Sequence, residues 1–332
     1  MRLKLFLTSI VLIAAIGLII LLIVKRDPSP VISQKVNFGI HRGPHSSLIY
    51  IALERGFFKK NGIDASVKEY EAGRLAVDAL LAGDVDIATA PEFVHVSKSF
   101  GDQKLQILGT ISTADDQEIV ARRDRGIKEV KDLAGKKIAT AREGIARFFL
   151  ETFLTAHDVQ LKSITAVNLL PSEMGEAIAS GRVDAVTIFA PHTHLIKAAL
   201  GTNGVSWSSQ NGQSYYFTLT SKEGFIRSHR DGIERILRSL IEADRYLKNE
   251  EADARKIIEK RLNMTSEMLS FVWPQYRFQV RLDQDLIILM EDEARWLNRD
   301  ILSGGTAMPD YFKQIYIDGL DKIAPSAVGV FH

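Results

Sequence analysis

Two loops in the sequence place glycine, serine and other small residues directly before an apolar helical run. His45, Ser46 and Ser47 precede the first run, and Gly144 and Ile145 precede the second. Free amide groups at the start of a helix attract anions, because the helix dipole favours negative charge there. The two loops therefore predict two halves of a binding site for a polar or anionic solute. Ser46 and Ser47 have an alternative role, since serine is also a common helix cap.

Two charged residues, Arg142 and Glu143, stand beside Gly144 in the second loop. Charged side chains on a loop that faces a cleft can orient a polar ligand. The same two side chains could instead pair with each other. Both are candidate ligand contacts.

Carboxylates at Glu92 and Asp116 complicate the expected charge of the ligand. Glu92 follows a predicted strand, where its carboxylate would suit an amine or a ring nitrogen, although a solvated loop carboxylate would give the same pattern. Arg142 favours an anionic ligand. Glu92, Asp116 and Glu143 favour a cationic or amphoteric one. This mixture favours a zwitterion, a heterocyclic or amidated nitrogen compound, or a taurine-like solute over plain nitrate.

Aromatic residues follow another predicted strand and occupy a later one. Phe189 and His192 could sandwich a ring or a methylene chain, although Phe189 could also belong to the core. Tyr215 and Tyr216 are adjacent on a strand, so one should face the cleft and the other should pack inside. Tyr216 is the predicted ligand contact.

The sequence does not indicate a metal site or a catalytic site. His41 and His45 are four residues apart, but they lie in a Gly-Pro loop rather than on a helix, and no cysteine or carboxylate completes a ligand set. No G-x-S-x-G nucleophile motif occurs. We therefore expect no metal, no cofactor and no enzymatic activity.

A repeat at an offset of 98 residues indicates the elements that position these residues. The repeated positions are Ala79, Gly83, Val85 and Asp86, which recur as Ala177, Gly181, Val183 and Asp184. Ile40 aligns with Ile138 at the same offset. Chance is the alternative, because helix, glycine cap and strand form a common phrase. Each copy predicts alternating strands and helices, and hence an α/β fold with two lobes that face each other across a cleft.

The predicted lobes are discontinuous in sequence. Lobe one comprises residues 35–120 and 218–332, and lobe two comprises residues 121–217, so that the chain crosses between them twice. From Gly224 onward, amphipathic patterns predict helices that pack on lobe one.

The N-terminus predicts export. Leu5 to Val24 is an apolar run broken only by Thr8, Ser9 and Gly17, which is long enough to span a membrane. Residues 1–26 are therefore expected to be an uncleaved anchor or a cleaved signal, followed by a linker over residues 27–34, with the folded part on the outer face of the cytoplasmic membrane. The formal net charge of +1 and the even spread of charges do not indicate a nucleic-acid partner.

Several phrases together resemble a known family. They include LIYIALERGFFKKNGID, ALLAGDVDIATAP, GIKEVKDLAGKKIATA and EMGEAIASGRVDAVTIFAP. In order and spacing these phrases are similar to the nitrate/sulfonate/taurine-type substrate-binding proteins of ABC importers. The resemblance implies a type II periplasmic-binding-protein fold, a small-molecule ligand, and an ABC permease with its ATPase as partners.

Two departures from the family affect the ligand and the anchor. The family commonly carries a serine or threonine after the glycine of the second loop, and here that hydroxyl is missing, which weakens the case for a sulfonate. The family often uses a lipid-modified cysteine, and this sequence contains no cysteine. A transmembrane helix would replace that anchor.

The resemblance leaves two alternative functions open. One is a membrane-tethered domain that senses a ligand instead of delivering it. The other is an enzyme, because the same fold includes a thiamine-pyrimidine synthase with a lysine-bound pyridoxal phosphate. That enzyme type carries a cysteine-rich motif, which this sequence lacks.

Overall fold

The computed structural model describes residues 33–101, 103–141, 144–300, 302 and 306–330. The chain divides into two compact units, Met1–Ser33 and Gln34–His332. Only Ser33 of the first unit is described, so the fold presented here is that of the second. The predicted anchor and most of the linker lie outside the described residues.

Strands and helices alternate through the first two thirds of the described chain, as the repeat predicts. The strands are β1 (Gln34–His41), β2 (Ile63–Tyr70), β3 (Ile87–Pro91), β4 (Leu105–Ala114), β5 (Glu118–Arg122), β6 (Lys137–Thr140), β7 (Thr165–Asn168), β8 (Ala185–Ile188), β9 (Gly204–Ser208), β10 (Tyr215–Lys222), β11 (Tyr276–Asp283) and β12 (Val328–Gly329). The α-helices are α1 (Ser47–Glu54), α2 (Phe57–Lys60), α3 (Gly73–Ala82), α4 (Glu92–Ser99), α5 (Ile145–Ala156), α6 (Pro171–Ala179), α7 (His192–Leu200), α8 (Glu223–Ser228), α9 (Arg230–Asn249), α10 (Glu251–Leu262), α11 (Ser266–Val272), α12 (Gln284–Asp300) and α13 (Ile317–Ile323).

The strands form two sheets with matching internal order. The larger sheet runs β12-β11-β4-β10-β3-β1-β2, and the smaller runs β7-β6-β8-β5-β9. In the larger sheet β1 is parallel to β2 and β3, and in the smaller sheet β6 is parallel to β7 and β8. Each parallel group is flanked by an antiparallel strand, β10 beside β3 and β5 beside β8. The two halves therefore share one topology.

The repeated aspartate makes the same contacts in both halves. Asp86 Oδ2 accepts a hydrogen bond of 2.8 Å from the backbone N–H of Asn37, within β1. Asp184 Oδ2 accepts one of 2.9 Å from the N–H of Lys137, at the start of β6. A glycine lies three residues before each of these aspartates, Gly83 before Asp86 and Gly181 before Asp184. Each glycine follows the end of a helix and has the left-handed backbone conformation, which glycine adopts without strain.

The alignment of Ile40 with Ile138 is wrong by two residues. Phe38 lies opposite Ile87, and Ile138 lies opposite Ala185. Since Ile87 and Ala185 are 98 apart, the counterpart of Ile138 is Phe38, at an offset of 100. A shift of two preserves the alternation of side chains across a strand, so the sequence pattern does not reveal it.

The chain passes between the sheets through residues 115–117 and 209–214. The predicted boundaries at residues 120 and 217 fall inside β5 and β10, each of which belongs wholly to one sheet. Gln210 joins the two crossing segments, because its Oε1 accepts from Gln117 N and its Nε2 donates to Ala114 O, at 2.9 and 3.0 Å.

The C-terminal third packs on the larger sheet. Helices α9, α10 and α12 follow the amphipathic patterns that predict them. The helical prediction omits β11, whose buried and exposed side chains alternate along YRFQVRLD and which pairs with β4. Among the described residues, no helix is long and apolar enough to cross a membrane.

Candidate functional site

A cavity of about 350 Å³ lies where the parallel strands of both sheets end. Each of the six parallel strands contributes a lining residue at or just beyond its carboxyl end: His41, Ala72, Pro91, Ala141, Asn168 and Phe189. Small-molecule sites in open α/β sheets are found at these strand ends. The cavity is therefore the candidate ligand site.

Helices α3, α5 and α6 begin at the cavity. Gly73 at the start of α3, Gly144 just before α5 and Pro171 at the start of α6 all line it. The first turn of α6 already has a carboxylate partner, because Glu173 accepts a 2.8 Å hydrogen bond from Leu170 N. Neither α3 nor α5 has a side-chain cap. Their free amides are the ones available to a polar group of a solute.

Aromatic rings form the inner end of the cavity, which we call the floor: His41, His45, Phe189, Tyr215 and Phe217. The His45 and Phe217 rings are stacked, with centroids 4.5 Å apart. His41 meets Phe189 edge to face at 5.5 Å. Such rings offer flat apolar surfaces to a ring or a methylene chain.

Asp116 lies behind this floor and accepts two tyrosine hydroxyl groups. Tyr215 donates to its Oδ1 at 2.9 Å, and Tyr276 donates to its Oδ2 at 2.7 Å. His45 Nε2 lies 2.5 Å from the Tyr215 hydroxyl and 3.5 Å from Asp116 Oδ2. Burial raises the pKa of Asp116 to about 7, even though both hydroxyl groups stabilise its ionised form.

Both floor histidines are neutral at pH 7. Burial lowers the pKa of His41 to about 4, and nearby His192 lowers it further, while a hydrogen bond with the Glu71 backbone opposes the shift. Burial, and then the neighbouring His41, place the pKa of His45 well below its usual range. The floor therefore presents neutral imidazoles rather than cations to a solute.

Aromatic side chains also make contact between the two halves. Phe148 of α5 packs edge to face on Trp296 of α12, with ring centroids 5.5 Å apart. Phe93 of α4 stacks on Phe148 at 6.0 Å. The core of the larger sheet thus extends onto a helix of the smaller one.

Comparison with known proteins identifies the family. The family model described as NMT1/THI5 like matches residues 43–254, which is more than half of the chain. The chain belongs to the NMT1/THI5-like family. The resemblance to sulfonate-type substrate-binding proteins is thereby confirmed, since relatives and structural neighbours carry such names.

Two sequence relatives come from Bacillus subtilis. The putative binding protein YtlA is 24% identical over 210 residues, or 61% of this chain and 63% of YtlA. The putative aliphatic sulfonates-binding protein is 26% identical over 211 residues, or 62% of this chain and 63% of that protein. The match therefore spans less than two thirds of the length of these curated relatives.

A solved structure shows the fold. The alkanesulfonate-binding protein SsuA from Xanthomonas axonopodis pv. citri, bound to MOPS, superposes with a TM-score of 0.73 at 19% identity, covering 85% of this chain and 98% of that one. The α/β periplasmic-binding-protein fold predicted from the sequence is confirmed.

Four of the predicted site residues line the cavity of this NMT1/THI5-like chain: His45, Gly144, Ile145 and Phe189. They come from both halves, as two facing loops predict. Arg142 and Glu143, between Ala141 and Gly144, lie outside the described residues. Their role as ligand contacts stays a prediction.

Ser46 and Ser47 lie beneath the cavity and do not line it. Both are fully buried. Ser46 Oγ donates to His41 O at 2.8 Å, and Ser47 Oγ donates to Pro44 O at 2.6 Å. Their hydroxyl groups therefore hold the loop, and neither one caps α1.

Glu92 is neither a solvated loop carboxylate nor a lining residue. It begins α4, is fully buried, and accepts a 2.9 Å hydrogen bond from Tyr216 N. Burial raises its pKa to about 8, and Glu293 lies beside it. Asp116 is likewise buried behind the floor instead of in the cavity wall.

His192 and Tyr216 lie next to lining residues. The His192 ring meets Phe189 edge to face at 5.6 Å. Tyr216 points to a separate depression that Arg277 and Arg281 share, while its neighbour Tyr215 lines the cavity. The sequence predicts the alternation along β10, but Tyr215 and not Tyr216 takes the position that lines the cavity.

Sequence reasoning overlooked several lining residues. Gln117 lies in the first crossing segment, and Asn168 ends β7. Asn168 lies where the rule that ligands bind at strand ends predicts a lining residue. Gln117 gives no such signal, because its position depends on where the chain changes sheets.

Among residues that the structure describes, no cluster of three or more histidine, cysteine, aspartate or glutamate side chains could hold a metal ion.

Gly73 provides a first test of how tightly the cavity wall is packed. A Cβ atom at this position would lie 2.7 Å from Ala90 Cα, so we expect Gly73→Ala to push the start of α3 away from β3. The free energy of unfolding should fall by about 1–3 kcal/mol in urea titrations. Gly175→Ala is the control, because a Cβ there meets nothing within 4 Å and alanine favours a helix interior by about 0.5–1 kcal/mol. Equal stability of the two variants would contradict this close approach.

Proposed function

We propose that this chain is the extracytoplasmic solute-binding protein of an ABC importer. It would capture a small organic solute between its two lobes, close around it, and deliver it to a permease. The observation that carries this proposal is the 350 Å³ cavity at the carboxyl ends of parallel strands from both sheets. A volume in this range suits a small organic molecule.

The composition of the lining supports an organic solute with both apolar and polar parts. Phe189, Phe217 and Ile145 provide apolar surface, while Gln117 and Asn168 provide hydrogen-bonding groups. The class proposed is a small polar nitrogen- or sulfur-containing compound, such as a sulfonate, taurine or a pyrimidine. Relatives that are named for sulfonates add support to this class. Plain nitrate would leave most of the cavity unfilled.

Binding is favoured over catalysis by the groups at the cavity. No lysine occurs among the described residues that line it, so a lysine-bound cofactor has no attachment point there. The sequence contains no cysteine nucleophile. Burial holds both floor histidines neutral, and His45 is committed to a hydrogen bond with Tyr215 behind the cavity.

A thermal-shift screen of the full-length chain tests this function. Taurine, ethanesulfonate, MOPS, nitrate and 4-aminopyrimidine would be compared at rising concentrations. A solute at a hundred times its dissociation constant adds about 2.7 kcal/mol to native stability, which should raise the melting temperature by several degrees. No shift with any solute, and no small molecule copurified with the chain, would refute the proposal.

A variant that blocks the cavity tests whether the ligand-induced rise in melting temperature comes from binding at this site. We expect Gly144→Trp to abolish the ligand-induced shift with little loss of intrinsic stability, because Gly144 precedes α5 with an extended backbone that any residue adopts. Gly224→Trp on α8, outside the cavity lining, is the matched control. Normal binding by Gly144→Trp would show that the solute binds elsewhere.

An uptake assay distinguishes a role in transport from a role in ligand sensing. Cells that lack the chain should lose uptake of the radiolabelled solute that the screen identifies. Binding in the screen together with unchanged uptake in those cells would favour a ligand-sensing role for the same cavity.

A further inference from the structure

Gln210 is a buried polar residue at the base of an exposed turn. It is 2% exposed, although the next three residues, Asn211, Gly212 and Gln213, are exposed. Asn211 and Gly212 have positive φ, which asparagine and glycine adopt most readily, and Gln213 N donates to Gln210 O at 2.9 Å to close the turn. The turn therefore directs one amide side chain inward, towards the segments that join the two sheets.

The amide of Gln210 bonds to backbone groups at both ends of the first crossing segment, residues 115–117. Its Nε2 donates at 3.0 Å to the carbonyl oxygen of Ala114, the last residue of β4 in the larger sheet. Its Oε1 accepts at 2.9 Å from the N–H of Gln117, which directly precedes β5 in the smaller sheet. A further bond of 2.7 Å joins Nε2 to Gln213 O in the second crossing segment. One planar amide thus connects the two sheets where the chain passes between them.

The chemistry of these partners fixes the orientation of the amide. Exchanging its oxygen and nitrogen would bring N–H groups against the N–H of Gln117 and an oxygen against two carbonyl oxygens. The observed orientation gives every donor and acceptor a partner of the opposite kind. Because Gln210 is buried, these hydrogen bonds are shielded from water.

Other side-chain contacts at the crossing segments constrain the two sheets less. Asp115 pairs with Arg277 and accepts from Ser214, but the Asp115 side chain is 43% exposed, and exposed ion pairs contribute little. Asp116 is buried, but the two tyrosines that donate to it both belong to the larger sheet. The amide of Gln210 is buried and also has partners on both sides of the crossing.

A change of angle between the two halves must distort the bonds of this amide. Hydrogen bonds weaken steeply once the angle at the hydrogen falls below about 120°. The planar amide therefore cannot keep its bonds to Ala114 and Gln117 while the segment between these residues rotates. Gln117 also lines the cavity, so the same amide holds the backbone of a lining residue in place.

We propose that Gln210 is a positioning residue that sets the angle between the two halves and thereby the affinity of the cavity for its solute. Gln210 itself lies outside the cavity lining. Without its amide the halves adopt a wider range of angles, and apparent affinity falls with the fraction of molecules that are competent to bind. This effect on affinity rests on the proposed function, whereas the angle can be measured without any solute.

Distances between two spin labels test the inference. The sequence contains no cysteine, so two introduced cysteines carry the only labels. Glu176→Cys on α6 and Asn249→Cys at the end of α9 place labels at exposed positions in opposite halves. Gln210→Met keeps the length of the side chain but removes its amide. In double electron–electron resonance of the full-length chain without solute, we expect Gln210→Met to broaden the distribution of distances between the labels.

Ser239→Ala on α9 is the matched control. Ser239 is fully buried, and its hydroxyl group also takes part in three hydrogen bonds, with Asn61, Phe57 and Arg235, but away from the crossing segments. This variant should leave the label distances unchanged. Isothermal titration with MOPS should show about tenfold weaker binding for Gln210→Met, the effect of about one hydrogen bond on the angle that permits binding, and no change for Ser239→Ala.

A second variant covers the case in which Gln210→Met does not fold. Gln210→Glu keeps the acceptor for Gln117 N and loses both donors, so it should broaden the label distances as well. A distribution that stays unchanged in the folded variant, or that Ser239→Ala broadens equally, would overturn the inference.

The two readouts separate this inference from the proposed function. Broader distances together with unchanged MOPS affinity would overturn the role of Gln210 in binding. Broader distances in a chain that binds no solute of the thermal-shift screen would refute the proposed function and leave Gln210 as the residue that sets the angle.

Discussion

Asp116→Ala is expected to lower the free energy of unfolding by about 3–5 kcal/mol. The carboxylate is buried and accepts hydrogen bonds from Tyr215 and Tyr276, so its removal leaves two hydroxyl donors unsatisfied in the interior. Each unsatisfied buried group costs about 1–3 kcal/mol. Urea titration followed by circular dichroism would measure the loss.

The neighbouring carboxylate is the matched control. Asp115 pairs with Arg277 and Ser214, but its side chain is 43% exposed. Asp115→Ala should therefore cost less than about 1 kcal/mol, as exposed ion pairs do. The loss of stability in Asp116→Asn should lie between those of the two alanine variants, because the amide oxygen still accepts a hydrogen bond from one hydroxyl group. An Asp116→Ala loss no larger than that of Asp115→Ala would show that the network behind the cavity does not support the fold.

The buried pair Glu92 and Glu293 is expected to lower stability as the pH rises from 5 to 8, and Glu293→Gln should remove much of that contribution. Glu92 and Glu293 are fully buried next to each other between α4 and α12. Burial raises the pKa of Glu92 from its usual 4.5 to about 8. Burial, and then the neighbouring Glu92, raise the pKa of Glu293 well above the usual range. The folded chain holds protons that the unfolded chain releases.

The sign of the pH dependence follows from those raised pKa values. Below about pH 4.5 both carboxyl groups are protonated in the folded and in the unfolded chain, so neither group lowers the free energy of unfolding. Above that pH only the unfolded chain ionises, so the free energy of unfolding drops by up to about 1.4 kcal/mol per pH unit for each group. The drop for Glu92 ends near pH 8, its folded pKa.

Glutamine reproduces the neutral form of Glu293 at every pH. We expect Glu293→Gln to match the unaltered chain within about 1 kcal/mol at pH 5 and to exceed its stability by about 2–4 kcal/mol at pH 8. Glu291→Gln on the same helix is the control, because Glu291 is about half exposed beside Arg295 and should change stability little at either pH. Parallel pH profiles for the unaltered chain and Glu293→Gln would contradict the raised pKa values.

The repeat makes much of the fold predictable. Helix, glycine cap and valine–aspartate pair recur because the aspartate carboxylate accepts a hydrogen bond from a backbone N–H of a neighbouring strand, Asn37 in one half and Lys137 in the other. Such local requirements are visible in the sequence. The points at which the chain passes from one sheet to the other, residues 115–117 and 209–214, are not visible in the sequence. The residues on either side have a strand pattern whichever sheet they join.

The site is less predictable than the fold for a physical reason. Loop glycines mark strand ends, and this pattern predicts Gly144 and Ile145 as lining residues. Whether a charged side chain lines a cavity or lies beneath it depends on packing from distant parts of the chain. Buried Glu92 lies beside Glu293, about 200 residues later in the chain, and buried Asp116 accepts a hydrogen bond from Tyr276. Sequence periodicity carries no information about such partners.

The contact between Phe148 and Trp296 opposes separation of the two sheets. Any rotation that parts the two sheets must expose these rings to water. Exposing roughly 100–200 Å² of apolar surface costs about 2.5–5 kcal/mol. Separation of the two sheets at this contact is therefore disfavoured unless other interactions offset that cost. Where a solute can enter only after the rings part, its apparent affinity is reduced by the fraction of molecules in that open state.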